Sequence, residues 1–189
     1  MDEFLRLSGV HAHYGESHIL HGVDLTVRKG EVVTLLGRNG AGRTTTLKAI
    51  LGLVGRRTGS ILIDGVESVR MAPHEIARRG IGYCPEERGI FASLTCEENL
   101  KLPPELVAGG MAIDEISEGL APVIVQTLAR TVRMLREKGF TIVMVEQNFR
   151  FAAPLADQFY VMEHGQIVES FGAAELKGKM DMLHEYLGV

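Results

Sequence analysis

The stretch that decides the fold is Val32-Val33-Thr34-Leu35-Leu36-Gly37-Arg38-Asn39-Gly40-Ala41-Gly42-Arg43-Thr44-Thr45. Its first five residues form an apolar run that predicts a buried strand. Residues 45–53 that follow predict a helix. Strand, glycine loop and helix in this order make the setting of a phosphate-binding loop. Glycines at 37, 40 and 42 remove Cβ atoms, so backbone N–H groups can close around an anion. The helix start adds unsatisfied N–H groups and the positive end of a dipole. Thr44 stands where a hydroxyl would meet Mg²⁺. The pattern G-x-x-x-x-G-K-[S/T] asks for lysine, and this chain has Arg43, a wider planar cation on a stiffer head.

Working outward, the chain before the loop reads as two alternating strands, residues 4–10 and 19–27, joined by short turns and hence antiparallel. After the loop helix, residues 59–65 predict a strand closed by the Asp64-Gly65 turn. A short helix is expected over 73–79, and a strand over Ile81-Gly82-Tyr83-Cys84. Thr95-Cys96-Glu97-Glu98 has the form of a capping box opening a helix that runs through residue 100. Met111-Ala112-Ile113 leads to the acid pair Asp114-Glu115 behind two glycines, a weak setting for a central strand. Residues 121–138 form the best-patterned helix, with Ile124, Leu128, Val132 and Leu135 along one face. A buried strand over 141–145, a helix over 148–156 and a hairpin around His164-Gly165 follow. The tail, 173–188, reads as helical in parts. Strands alternating with helices predict an α/β fold with a largely parallel core sheet and an antiparallel β portion at the N-terminus.

With 189 residues, one domain spanning 1–189 is expected. A net charge of −4 argues against a general nucleic-acid binder, and the pairs Arg56-Arg57 and Arg78-Arg79 read as solvated surface. No signal-peptide core opens the sequence, and no apolar run approaches the roughly twenty residues of a membrane span. Cys84 and Cys96 make neither a metal pattern nor a disulfide framework, and read as small packing residues. The seven histidines show no ligand spacing. His11 and His13 share one face of a strand, which could bind metal, but read rather as an exposed edge pair.

Taken as an ordered set, these motifs resemble the ATP-binding subunit of an ABC transporter, and within that family the branched-chain amino acid import subgroup. The resemblance implies a P-loop NTPase core. It implies that Tyr14 stacks on adenine, and that Gly37, Asn39, Gly40, Ala41, Gly42, Arg43, Thr44 and Thr45 hold the phosphates of ATP. Glu86, in Tyr83-Cys84-Pro85-Glu86, matches the Q-loop, with glutamate as in the subgroup. Thr44, Glu86 and Asp114 would serve Mg²⁺. Glu115 matches the glutamate that polarises water, and Gln147 the switch position near the γ-phosphate, both assigned catalytic roles. Ser117-Glu118-Gly119-Leu120-Ala121-Pro122 resembles the D-loop and its sequel. The implied partners are transmembrane permease subunits and a second ATP-binding subunit. The implied location is cytoplasmic, peripheral on the inner face of the cell membrane through those permeases, with no insertion of its own.

Two departures matter. Arg43 replaces lysine, and the family's helical subdomain is expected to be largely absent, reduced to about residues 92–110. Val107-Ala108-Gly109-Gly110-Met111 echoes the L-S-G-G-Q signature without its serine. Three residues from Met111 to Asp114 leave no room for a helix and a strand. Three readings follow. One is an importer ATPase with impaired hydrolysis. Another is a nucleotide-binding remnant or regulator that does not hydrolyse. The third is an internally deleted product.

Overall fold

The computed structural model describes residues 2–86 and 109–188. The expected helix beginning at Thr95, the signature echo up to Ala108, and Cys96 lie outside them. Among the described residues, ten strands form two sheets. The first, antiparallel, takes β1 (Glu3–Tyr14), β2 (Ser17–Arg28), β4 (Arg56–Ile63) and β5 (Val66–Glu67) in the order β2-β1-β4-β5. The second takes β3 (Val32–Leu36), β6 (Ile81–Cys84), β7 (Gly110–Asp114), β8 (Thr141–Val145), β9 (Gln158–Glu163) and β10 (Gln166–Gly172), in the order β10-β9-β3-β8-β7-β6. Its contacts are parallel except for the β9–β10 hairpin. The expected mixture of parallel core and antiparallel N-terminal portion is therefore what the chain adopts.

The unbroken apolar strands have a physical reason. Along β3, Val33 and Leu35 enter one buried cluster with β1, β2, β4 and the loop helix, while Val32 and Leu36 enter another with the helices of the opposite face. A strand covered on both sides needs apolar residues at every position, not at alternate ones. Both predicted two-residue turns form with positive φ at each central residue: Asp64 and Gly65 at 49° and 76°, His164 and Gly165 at 47° and 74°. That pairing is the type I′ geometry that matches strand twist.

The helices are α1 (Arg43–Ile50), α2 (Pro73–Ala77), α3 (Pro122–Glu137), α4 (Phe149–Ala152) and α5 (Met180–Leu187), with a 3₁₀ segment at Ala173–Lys179. Several expectations need correction. Helix α4 is one turn long and not nine residues, because Pro154 has no N–H with which to continue the ladder. On α3, Ile124 is 45 % exposed. Its place on the packed face is taken by Val125, which joins Leu128, Ala129, Val132 and Leu135 against the second cluster. Gly110 does not weaken β7, which pairs on both sides with β6 and β8. A Cβ there would collide with the ring of Phe4, so glycine is what lets that ring pack. Arg57 is not solvated surface. Its guanidinium donates to the carbonyls of Met71 at 2.5 Å, Val69 at 2.6 Å, Ala49 at 3.0 Å and Ser68 at 3.3 Å. It thereby ties the end of α1 to the segment after β5. Cys84 is exposed and not packed. Strand β1 lies between β2 and β4, so His11 and His13 are not on an edge.

Candidate functional site

The glycine loop leaves the end of β3, near the middle of the six-stranded sheet, where strand ends and a helix start open a crevice. Each glycine has a separate cause. A Cβ on Gly37 would lie 2.5 Å from the carbonyl oxygen of Met162. Gly40 and Gly42 have φ of 81° and 104°, and a Cβ on Gly42 would lie 3.0 Å from Leu20 and 3.2 Å from Gly165. The loop is held from outside: Ala41 N–H donates to Arg38 O at 3.0 Å, and Gly165 N–H donates to Ala41 O at 2.9 Å. Helix α1 closes its first internal bond from Thr46 N–H to Gly42 O at 2.8 Å. The N–H groups of Arg43, Thr44 and Thr45 therefore precede the intrahelical ladder, and no side chain caps them. This is a preformed set of anion donors.

A cavity of about 470 Å³ opens over the loop. Tyr14 and Ile19 form one wall, Asn39 to Thr45 the floor, and Glu86, Glu115 and Glu118 the far side. Tyr14, 45 % exposed, presents its ring at the mouth. Of the predicted residues, Tyr14, Asn39, Gly40, Ala41, Gly42, Arg43, Thr44, Thr45, Glu86 and Glu115 are brought together here. Gly37 does not line the cavity; it closes the loop against Met162. Gln147 is exposed and lines a smaller adjoining cavity of about 290 Å³ with Glu115, Ser117, Glu118, Glu146 and Asn148.

Asp114 ends β7 directly beneath Thr44. The Thr44 hydroxyl donates to Asp114 Oδ1 at 3.0 Å, and the Tyr83 hydroxyl to Oδ2 at 3.3 Å. Burial raises the Asp114 pKa, while the two hydroxyls oppose that shift. A hydroxyl and a carboxylate set side by side at the helix start are hard oxygen donors of the kind Mg²⁺ accepts alongside substrate phosphates. Glu86 lines the same cavity as Thr44, with one carboxylate oxygen each from Glu86, Glu115 and Glu118 lying within 4.8 Å of one another. The donor set therefore fits that ion.

Arg43 does not extend freely over the loop. Its Nη2 lies 2.6 Å from Glu115 Oε1 and 3.2 Å from Asn39 Oδ1. The pair is buried, with 4 % of the arginine side chain exposed and 9 % of the glutamate. Nη1 is buried with no acceptor among the described residues. Glu115 itself sits at φ 44°, a conformation a non-glycine residue adopts only when its surroundings impose it. Burial first, then the hydrogen bond and charge of Glu118 and the charge of Glu86, push its carboxyl up to about 7, against the pull of Arg43. A group titrating there is suited to hold or accept a proton near neutrality.

Sequence reasoning missed four participants. Ile19 and Glu118 line the cavity, and Tyr83 supports Asp114. The fourth is Glu146, 1 % exposed, which accepts from Ser117 N–H at 3.2 Å and Ser117 Oγ at 2.8 Å. It thereby ties the loop after Glu115 to the turn that carries Gln147. The only sequence signal for Glu146 is an acid directly after five strand residues, which the more visible Gln147 overshadowed.

Residues 20–166 match the model of the ABC transporter family. This chain belongs to that family. It is 34 % identical to the high-affinity branched-chain amino acid transport ATP-binding protein BraG of Pseudomonas aeruginosa, over 97 % of this chain and 99 % of the relative. It is 29 % identical to the probable branched-chain amino acid transport ATP-binding protein LivF of Archaeoglobus fulgidus, over 91 % and 93 %. It is 26 % identical to the lipopolysaccharide export system ATP-binding protein LptB of Escherichia coli K12, over 93 % of each. Among solved structures, the ATP-binding subunit of an ABC transporter superposes with a TM-score of 0.80 at 22 % identity, covering 98 % of this chain and all of that one. The ADP conformation of the ATP-binding cassette MJ1267 gives 0.77 at 17 %, with both chains fully covered. The fold is that of the P-loop ATPase cassette, and the chain is an ABC ATP-binding subunit. The alignment with BraG runs over 231 residues, more than the 189 of this chain, so that relative carries residues with no counterpart here. Among the described residues, no helix is long and apolar enough to cross a membrane.

Proposed function

We propose that this chain binds MgATP over its glycine loop as the ATP-binding subunit of an ABC importer for branched-chain amino acids, with hydrolysis held low. The observation that carries the nucleotide reading is the cavity itself. One wall is an aromatic, the floor ends in the uncapped amides of Arg43, Thr44 and Thr45, and the Thr44–Asp114 pair stands where a phosphate-bound Mg²⁺ would be held. In this reading Tyr14 stacks adenine, and the amides from Asn39 to Thr45 hold the phosphates. Thr44, Asp114 and Glu86 serve Mg²⁺, Glu115 orients water, and Gln147 approaches the γ-phosphate. ATP and Mg²⁺ are the cofactors. Permease subunits and a second ATP-binding subunit are the partners, and the inner face of the membrane is the working place. The relative BraG, matched along nearly its whole length, supports branched-chain amino acids over other cargo.

The slowing has two supports. The Arg43–Glu115 pair engages the two groups that phosphate and water would otherwise use, and Arg43 must exchange Glu115 for a phosphate before either acts. The residues absent relative to BraG agree with loss of the helical subdomain and its signature, whose donors stabilise charge on the γ-phosphate. Losing such donors costs a few kcal/mol, roughly a hundredfold or more in rate. The same ion pair favours a second reading, a subunit that binds ATP without turning it over.

Steady-state phosphate release separates them, measured on the chain alone and with a full-length ATP-binding partner. Turnover that Glu115→Gln abolishes and Arg43→Lys raises supports the slow ATPase. ATP binding with turnover absent, or unaffected by Glu115→Gln, supports the non-hydrolysing subunit and overturns the first reading.

A further inference from the structure

Outside the nucleotide cavity, four imidazoles meet on the outer face of the antiparallel sheet. His11 and His13 stand two apart on β1. His18 and His21 stand three apart on β2, which strict alternation would place on opposite faces. A register shift between Ala12 and His13 resolves this: Ala12 pairs with Leu20 and His13 with His18, so Ile19 is an extra residue in β2. Such a bulge re-aims the side chains beyond it. His18 therefore reaches the same face as His21, while Leu20 stays in the core.

The rings are in contact. His11 Nδ1 and His18 Nε2 are 3.1 Å apart. His13 stacks on His18 with centroids 4.1 Å apart and planes within 5°, and His21 lies 4.0 Å from His18 between centroids. His13 Nδ1 is buried with no hydrogen-bond partner among the described residues. Arg56 pairs with His13 from β4.

We propose that His11, His13, His18 and His21 form a binding site for one divalent transition-metal ion, Zn²⁺ foremost. Two imidazole nitrogens on one tetrahedral Zn²⁺, each bonded at about 2.0–2.1 Å, stand about 3.3 Å apart. The His11–His18 separation already has that value within a few tenths of an ångström. The ion replaces the single proton those two nitrogens now share. His13 and His21 complete the sphere by rotating their side chains from stacked to convergent positions, which gives the orphaned Nδ1 of His13 a partner. An all-imidazole set suits Zn²⁺, Ni²⁺ and Cu²⁺ and excludes Mg²⁺ and Ca²⁺, which take oxygen. The site therefore does not compete for the ion expected beside Thr44. It clips the tip of the β1–β2 hairpin, whose neighbouring residues Tyr14 and Ile19 wall the nucleotide cavity.

The test is a Zn²⁺ titration of the untagged, chelator-treated chain against a chromophoric chelator, with the visible spectrum of bound Co²⁺ as a second readout. The expected result is one Zn²⁺ per chain, weakened at least about tenfold by His11→Ala or His18→Ala and untouched by His74→Ala and Glu118→Gln. The Co²⁺ spectrum should show tetrahedral nitrogen coordination. His18 and His21 are exposed, so their substitutions leave the fold intact, and His21→Ala serves as the confirming variant. Zn²⁺ binding that is absent, that survives His18→Ala unchanged, or that is lost with Glu118→Gln overturns the proposal.

Discussion

Replacing Glu146 by glutamine isolates one buried carboxyl and its pH dependence. The side chain is 1 % exposed, and burial pushes its pKa up to about 7, despite the two bonds from Ser117. In the unfolded chain the group titrates near 4.5. A carboxyl whose folded pKa is raised favours the folded state when protonated. That advantage is whole below about pH 4.5 and is lost as the pH rises through about 7. The difference of roughly 2.5 pKa units corresponds to about 3 kcal/mol. Glutamine has nearly the same shape, accepts from the Ser117 amide, and carries no charge to desolvate. At pH 4.5 the two proteins should be equally stable to within about 1 kcal/mol. At pH 8 Glu146→Gln should be the more stable by about 3 kcal/mol. With a urea dependence of ~2 kcal/mol per molar, its midpoint lies about 1.5 M higher. Urea unfolding of both proteins at pH 5, 6, 7 and 8 measures this directly, since every other titrating group is shared. A stability difference that stays flat with pH, or that grows towards acid, would refute the burial argument.

Two further substitutions probe packing. Arg57→Ala removes four hydrogen bonds, leaving Val69 and Met71 to lose the guanidinium donor while Ala49 and Ser68 keep a backbone one, and should cost about 3 kcal/mol. Arg57→Lys should recover only part of that because it lacks the fork, and Arg56→Ala should cost under about 0.5 kcal/mol; thermal melts of the three variants decide. Gly165 and Gly30 share a φ of 74°, but a Cβ meets the carbonyl of Ile19 at the first and nothing within 4 Å at the second. Gly30→Ala should therefore cost about 1 kcal/mol of backbone strain, and Gly165→Ala about 3 kcal/mol or more. Equal losses would show that the close approach of β2 to the β9–β10 turn is not what demands glycine.

Much of the fold could be read from the sequence because local signals agreed with one another. Five apolar residues, three glycines and a helix in succession leave few alternatives, and both I′ turns were marked by Asp-Gly and His-Gly. Two of the misreadings concerned a partner distant in sequence, whereas the shortened α4 was written locally in Pro154. Gly110 looked like a weak strand residue until Phe4, more than a hundred positions earlier, was found above it. Arg57 looked like surface because nothing local reveals the four carbonyls that surround it. The histidines of β2 could not be placed with those of β1, since a bulge breaks the period on which the reading depends. At the site, residue types and spacing pointed to the loop and the acid pair, and the family resemblance pointed to Tyr14. They could not reveal that Arg43 turns onto Glu115, because an ion pair across seventy residues depends on where β7 ends relative to α1.

The central claim is that this cavity is a working MgATP site. Calorimetric titration of MgATP into the purified chain, with Asp114→Ala and Tyr14→Ala alongside, tests it most directly. The account predicts one site per chain in the micromolar to low-millimolar range. Asp114→Ala should weaken it by about tenfold or more when Mg²⁺ is present and by less in its absence, since it removes an acceptor of the Mg²⁺ site. Tyr14→Ala should weaken it with or without Mg²⁺, by the loss of about 1–3 kcal/mol of base stacking. A folded, monodisperse chain that binds no MgATP, or binds it equally well without Asp114 and Tyr14, would contradict the account.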